Sequence, residues 1–97
     1  MWTDFAVQDL TKLREYIAKD SIKNANIMFE EILISTKDLS RFPKKGRVIP
    51  NINKDFYREY FVSTFRVMYK IEEESVFIAG VFHMSRDFKS NDLLERK

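Results

Sequence analysis

Residues 65–71 alternate strictly between two kinds of side chain. Phe65, Val67, Tyr69 and Ile71 fall on one side, and Arg66, Met68 and Lys70 on the other. A period of two is the mark of a β-strand with one buried and one open face, and a helix cannot sort these residues in that way. The surrounding residues 58–86 read as three short strands joined by tight turns near Ser63 and Thr64 and at Glu73 and Glu74. Whatever else the chain forms must cover one face of this meander. The arginine and lysine on the other face raise the question of which anion they meet.

Register sharpens the faces. With Glu73 and Glu74 in the turn, Ile71 faces Val76, Lys70 faces Phe77, Met68 faces Ala79 and Arg66 faces Val81. That pairing gathers Phe65, Val67, Tyr69, Ile71, Val76, Ile78 and Phe82 into the packed face. It places Arg66, Lys70 and His83 on the open face, beside an apolar strip of Phe77, Ala79 and Val81. A slip of one residue would mix the two sets, so burial favours this register. The side on which Arg58 and Tyr60 fall stays open, because the first turn fits two or three residues.

The N-terminal part supplies the cover. Thr3 is suited to cap a helix whose apolar stripe is Ala6, Leu10, Leu13 and Ile17. Asp20 or Ser21 recaps the chain for a second helix with Ala25, Met28, Phe29, Ile32, Thr36 and Leu39 on one side, and Ile27 and Ile34 off that stripe. So short a connection makes a helical hairpin. Pro43 stops it, and a loop follows with a brief extended piece at Val48 and Ile49. The expected organisation is one α+β domain over residues 1–97: an antiparallel helical hairpin at about 4–41, a basic loop at about 42–55, a β-meander at about 57–86 and a polar tail at 88–97. Residues 92–97 have too little apolar surface to hold a helical turn down.

Charge is uneven along the chain. Residues 1–40 carry five basic and seven acidic residues, a net −2, whereas residues 41–70 carry eight basic and two acidic residues, a net +6. Lys44, Lys45, Arg47 and Lys54 put much of that excess in the loop, a pattern that attracts polyanions or an acidic protein surface as readily as it makes a soluble loop. There is no cysteine and one histidine, so neither a disulfide framework nor a histidine-built metal site can be assembled. No apolar run approaches the roughly 20 residues of a membrane span, and the start lacks the features of an export signal, which together point to the cytoplasm.

A family pattern overlies these features. Trp2, Thr3, Ala6, Asp9 and Leu10 open it, followed by Tyr16, Ile17 and Ala18, by Ala25 and Phe29, and by Leu39, Phe42, Pro43, Gly46, Arg47 and Pro50. Arg58 and Glu59, residues 65–69, Val81, His83, Arg86 and Asp87 complete it. In this order and spacing the chain resembles the RelE/ParE superfamily of toxins from bacterial type II toxin–antitoxin systems. The long hairpin and the final His-x-x-Arg-Asp are closer to the ParE, or plasmid-stabilisation, branch. Family members place several strand residues ahead of the Trp-Thr pair, where this sequence has only Met1. That departure leaves a sheet edge to be accounted for.

The resemblance implies a toxin that arrests growth by binding and poisoning DNA gyrase, held in check by a cognate antitoxin, with no cofactor and no metal. A RelE-like, ribosome-dependent mRNA endonuclease and an inactive antitoxin-binding decoy are the alternatives. For a metal-independent ribonuclease the candidate catalytic residues are Arg66, Arg86 and His83, with Glu59 able to exchange protons and Lys70 adding charge. Target-binding candidates are Arg58, Arg66, Lys70, His83, Arg86, Lys44, Lys45 and Arg47, and antitoxin-binding candidates are Phe77, Ala79 and Val81. His83 and Arg66 each also read as structural residues, Arg66 as an ion pair with Glu59. Arg86 and Asp87 read as a mutual salt bridge, and Phe56, Tyr57 and Tyr60 as aromatics free to stack on bases.

Overall fold

In a computed structural model, which describes residues 1–96, the chain runs α1 (Asp4–Ala18), α2 (Ile22–Ser35), β1 (Arg47–Val48), β2 (Tyr57–Val62), β3 (Phe65–Glu72), β4 (Ser75–His83) and α3 (Asn91–Leu94). The strands form one antiparallel sheet in the order β1-β2-β3-β4. The fold is therefore α+β, as the sequence pattern predicts, with the loop contributing a short fourth strand.

Local chemistry sets the helix ends. The Thr3 hydroxyl accepts from the Ala6 N–H at 3.2 Å, and the Ser21 hydroxyl accepts from the Asn24 N–H at 3.1 Å, so Ser21 and not Asp20 starts the second helix. That helix ends at Ser35, earlier than Pro43 would require. The Ser35 and Thr36 hydroxyls donate to the Ile32 and Leu33 carbonyls at 2.6 and 2.8 Å, and the Lys45 ammonium reaches the Ser35 carbonyl at 2.9 Å. Hydroxyls bonded back onto the preceding turn, with a cation on the freed carbonyls, terminate the helix where the sequence alone predicts continuation.

The helices pack on one sheet face. Ala6, Leu10, Met28, Ile32 and Leu39 meet Phe65, Val67, Tyr69, Val76, Ile78 and Val81 in the main core. Ile27 and Ile34 stay exposed, in keeping with their position off the apolar stripe.

The sheet departs from the expected register at one place. Ile71 pairs with Val76 and Lys70 with Phe77, but a bulge between Met68 and Tyr69 then pairs Met68 with Gly80 and Arg66 with Phe82. The extra residue, Ala79, shifts the alternation of β4 by one. Val81 turns into the helix-side core, and Phe82 turns to the opposite face. The backbone groups freed by the bulge are not orphaned: the Asp9 carboxylate accepts from the Val81 N–H at 3.0 Å, and Arg96 donates to the Ala79 carbonyl at 3.1 Å while pairing with Asp9. Outward, residues 1–3 run parallel to β4. The Ile78 N–H bonds the Met1 carbonyl at 2.7 Å and the Thr3 N–H bonds the Ile78 carbonyl at 3.0 Å, covering the part of the β4 edge around Ile78.

The second sheet face is not open. Ile49 and Ile52 from the loop and Phe88 and Leu93 from the tail pack on Met68 and Phe82 as a second core. The tail thus holds itself down after all: Leu93 is 1% exposed, and Arg96 ties the end of the chain to α1 and β4. The part of the tail expectation that falls on Lys97 lies outside the described residues. Among the described residues no helix is long and apolar enough to cross a membrane. Truncating a buried leucine removes its transfer free energy and leaves a cavity. Leu93→Ala is expected to lower unfolding stability by about 2–5 kcal/mol, against less than about 0.5 kcal/mol for a surface change such as Lys23→Ala, measured by urea titration.

Candidate functional site

Glu59 is the one buried charged residue among those described, at 0% exposure. Its β2 position directs it onto the second sheet face, between β1 and β3. Two arginines meet it there. Arg47 donates from Nε to Oε2 at 2.9 Å, with Nη2 at 2.8 Å, and Arg66 donates to Oε1 from Nε at 3.0 Å and Nη2 at 2.6 Å. A carboxylate taken out of water needs such partners, because leaving it unpaired would cost far more than the pair itself returns. The two guanidiniums differ in access: the Arg47 side chain is 58% exposed and that of Arg66 is 14% exposed. Each also lies over a ring, Arg47 over Phe61 at 5.3 Å and Arg66 over Phe88 at 4.9 Å.

The basic loop is stitched to the sheet from the other side. Tyr69 donates its hydroxyl proton to the Pro43 carbonyl at 2.6 Å and accepts from the Gly46 N–H at 2.9 Å, while Arg58 Nη1 holds the Gly46 carbonyl at 2.9 Å. Glycine is required by this approach, since a Cβ at position 46 would lie 2.6 Å from the Glu59 carbonyl oxygen. Arg58 also binds Asp55 at 2.5 Å, and that hydrogen bond holds the Asp55 carboxyl below its usual range. Lys45 bonds Asp38 at 2.9 Å and lowers the pKa of that carboxyl in the same way.

The predicted site residues therefore part company. Arg47, Arg66 and Glu59 converge. Arg58 lies on the helix side of the sheet and serves the loop. Lys45 is committed to Asp38 and the Ser35 carbonyl, Lys44 stays on the surface 3.6 Å from Asp55, and Lys70 pairs with Glu72 at 2.8 Å. His83 does not share a face with Arg66: the bulge turns it to the helix side, edge-on to Phe65 at 5.4 Å, and its Nδ1 accepts from the Ser85 N–H at 3.1 Å. Arg86 lies over the Phe82 ring at 4.6 Å, and its acidic partner is Asp92 at 3.6 Å in place of the expected Asp87. Of the candidate stacking aromatics, Tyr60 packs on the main core and bonds Ser35, Tyr57 packs on the second core, and Phe56 is exposed. The apolar strip is likewise not a free surface, since Val81 is in the main core and Ala79 packs against the second. Phe61 was missed by the sequence reading. Its signal was its place opposite Arg66 in the β2–β3 pairing.

Residues 1–88 match the family described as the ParE toxin of the type II toxin–antitoxin system, parDE. The chain belongs to the ParE toxin family. Among solved structures it is similar to a chain of the chromosomal ParDE toxin–antitoxin system from P. aeruginosa, with a TM-score of 0.70 and 17% identity over 87% of this chain and 92% of that one. No curated protein matches it. At that identity the structural likeness speaks for the fold, and the family match carries the membership.

Two consequences of this ParE-family geometry are measurable. Removing the Tyr69 hydroxyl strands the Gly46 N–H and the Pro43 carbonyl, so Tyr69→Phe is expected to cost about 1–3 kcal/mol in denaturant titrations. Burial raises the Tyr60 pKa from 10.0 to about 12, opposed by its hydrogen bond with Ser35. The folded state then keeps a proton that the unfolded chain gives up first. Stability from this group is complete below pH 10 and lost as pH rises toward about 12. Tyr60→Phe should flatten that alkaline limb in pH-dependent unfolding followed by circular dichroism.

Proposed function

We propose that this ParE-family toxin arrests growth in the cytoplasm by binding DNA gyrase and corrupting its DNA-cleavage cycle, and that a cognate antitoxin neutralises it. The observation that carries the reading is the dispersal of the groups a ribonuclease would need. Cleavage of an RNA backbone requires a proton acceptor, a proton donor and cations converging on one phosphate. Here Arg66 spends two donors on Glu59 beneath Phe88, and His83 sits across the sheet from it. A binding role asks for no such convergence.

Antitoxin docking has a better surface than the strip of Phe77, Ala79 and Val81. An apolar groove of about 430 Å³ lies between the hairpin and the start of β3, lined by Tyr16, Ile17, Ile27, Met28, Phe65 and His83. Tyr16 and Ile27 are exposed there without a covering element. An exposed apolar groove of this kind fits apolar side chains of a protein partner.

In supercoiling assays the purified toxin is expected to inhibit gyrase and accumulate cleaved DNA while leaving ribosome-bound mRNA intact. Codon-specific mRNA cuts that vanish in Arg66→Ala would overturn the reading, as would normal growth on expression without antitoxin. Ile27→Glu is expected to keep toxicity and lose antitoxin rescue, with binding weakened at least about tenfold, in line with charging a buried interface anchor. Unchanged rescue would remove the groove from the docking surface.

A further inference from the structure

The second sheet face carries a chain of cation and ring contacts, buried in its middle at Glu59, Phe82 and Phe88 and exposed at its ends through Arg47 with Phe61 and through Arg86. Phe61 lies 5.3 Å from Arg47, Arg47 and Arg66 share Glu59, Arg66 lies 4.9 Å from the Phe88 ring, Phe88 lies 5.6 Å from Phe82, and Phe82 lies 4.6 Å from Arg86. The row follows the sheet laterally, from Arg47 on β1 beside Glu59 on β2 to Arg66 on β3, which pairs with Phe82 on β4.

We propose that this row is a binding site for the phosphodiester backbone of a nucleic-acid strand, with Arg47 and Arg86 on phosphates, Phe61 under a base and Glu59 as the positioning residue. Three features carry it. Glu59 is buried, and both its oxygens are occupied by guanidiniums, so it orients Arg47 while presenting no carboxylate surface to a ligand. Arg47 uses Nε and Nη2 inward and remains 58% exposed, which leaves Nη1 free for an outside anion. Phe61 is exposed at 45% and stacks on Arg47, so base and phosphate contacts fall side by side. An acidic protein surface would use the charges but not the exposed ring. The acids near the row's far end are Asp92, 3.6 Å from Arg86, the adjacent Asp87, and Asp9, which lines a cleft with Phe82 and Arg86 and is paired with Arg96.

The site is independent of the gyrase reading, because it is measured on the toxin alone. Binding of a fluorescein-labelled 20-mer of single-stranded DNA is followed by anisotropy at a series of salt concentrations. The expected result is salt-dependent binding, with Arg47→Ala or Arg86→Ala each lowering the slope of log affinity against log salt by about 0.7–1. Phe61→Ala is expected to weaken binding about tenfold with the slope unchanged. Lys23→Ala, on α2, should change neither. If Arg47→Ala fails to fold, the exposed Arg86 and Phe61 variants carry the test. Absence of binding at low salt, or binding indifferent to these variants, overturns the proposal. So does loss of gyrase binding in Arg47→Ala by a toxin that binds no oligonucleotide, which would assign the row to an acidic protein surface.

Discussion

A single buried carboxylate governs the second face of this sheet. Glu59 could not occupy its place between β1 and β3 without cations, and Arg47 and Arg66 supply them from the strands on either side. The consequence reaches outward in both directions. Arg47 is drawn onto the sheet, which gives the short β1 a side-chain tie in addition to its two backbone pairs. Arg66 is held inward on the sheet, where Phe88 stacks over it and packs with Met68 and Phe82. The tie of the edge strand and the pairing of the two arginines both follow from one desolvated charge.

The small domain solves its burial problem by layering both faces. The hairpin covers one side of the sheet and the loop and tail cover the other, so a chain of this length hides apolar residues on both faces of β3 and β4. The bulge at Ala79 is the hinge of that arrangement, because it sends Val81 to one core and Phe82 to the other. Asp9 and Arg96 make the bulge affordable by taking up the backbone groups it frees. Gly80 belongs to the same device, since a Cβ there would lie 2.7 Å from the Phe82 ring and 3.0 Å from Arg96.

This layering also gives the two faces different chemistry. The helix side keeps an apolar groove with His83 at its rim, suited to a protein partner. The tail side keeps the exposed guanidinium of Arg47. Apolar contacts respond little to salt, whereas contacts to an exposed guanidinium such as that of Arg47 are screened as ionic strength rises.

Much of this was written in local pattern. The alternation in residues 65–71, the caps Thr3 and Ser21, the stripes of α1 and α2 and the turn at Glu73 are decided by side chains within a few residues of one another, so the strands, the hairpin and the end of β3 nearest Ile71 followed from sequence. The family resemblance was legible for the same reason, as ordered residues at fixed spacing. What only the tertiary structure decided depends on groups far apart in the chain. A bulge is an extra residue that no periodicity announces, and it became tolerable because Asp9 and Arg96, 87 positions apart, meet at it. With it went the side of His83, the burial of Val81 and the separation of the catalytic candidates. Glu59 could be guessed as a partner for Arg66, but its second arginine and its complete burial needed β1 alongside. The polar tail looked unable to hold itself because its few apolar residues count only when a ready apolar face receives them, and Met68 and Phe82 provide that face.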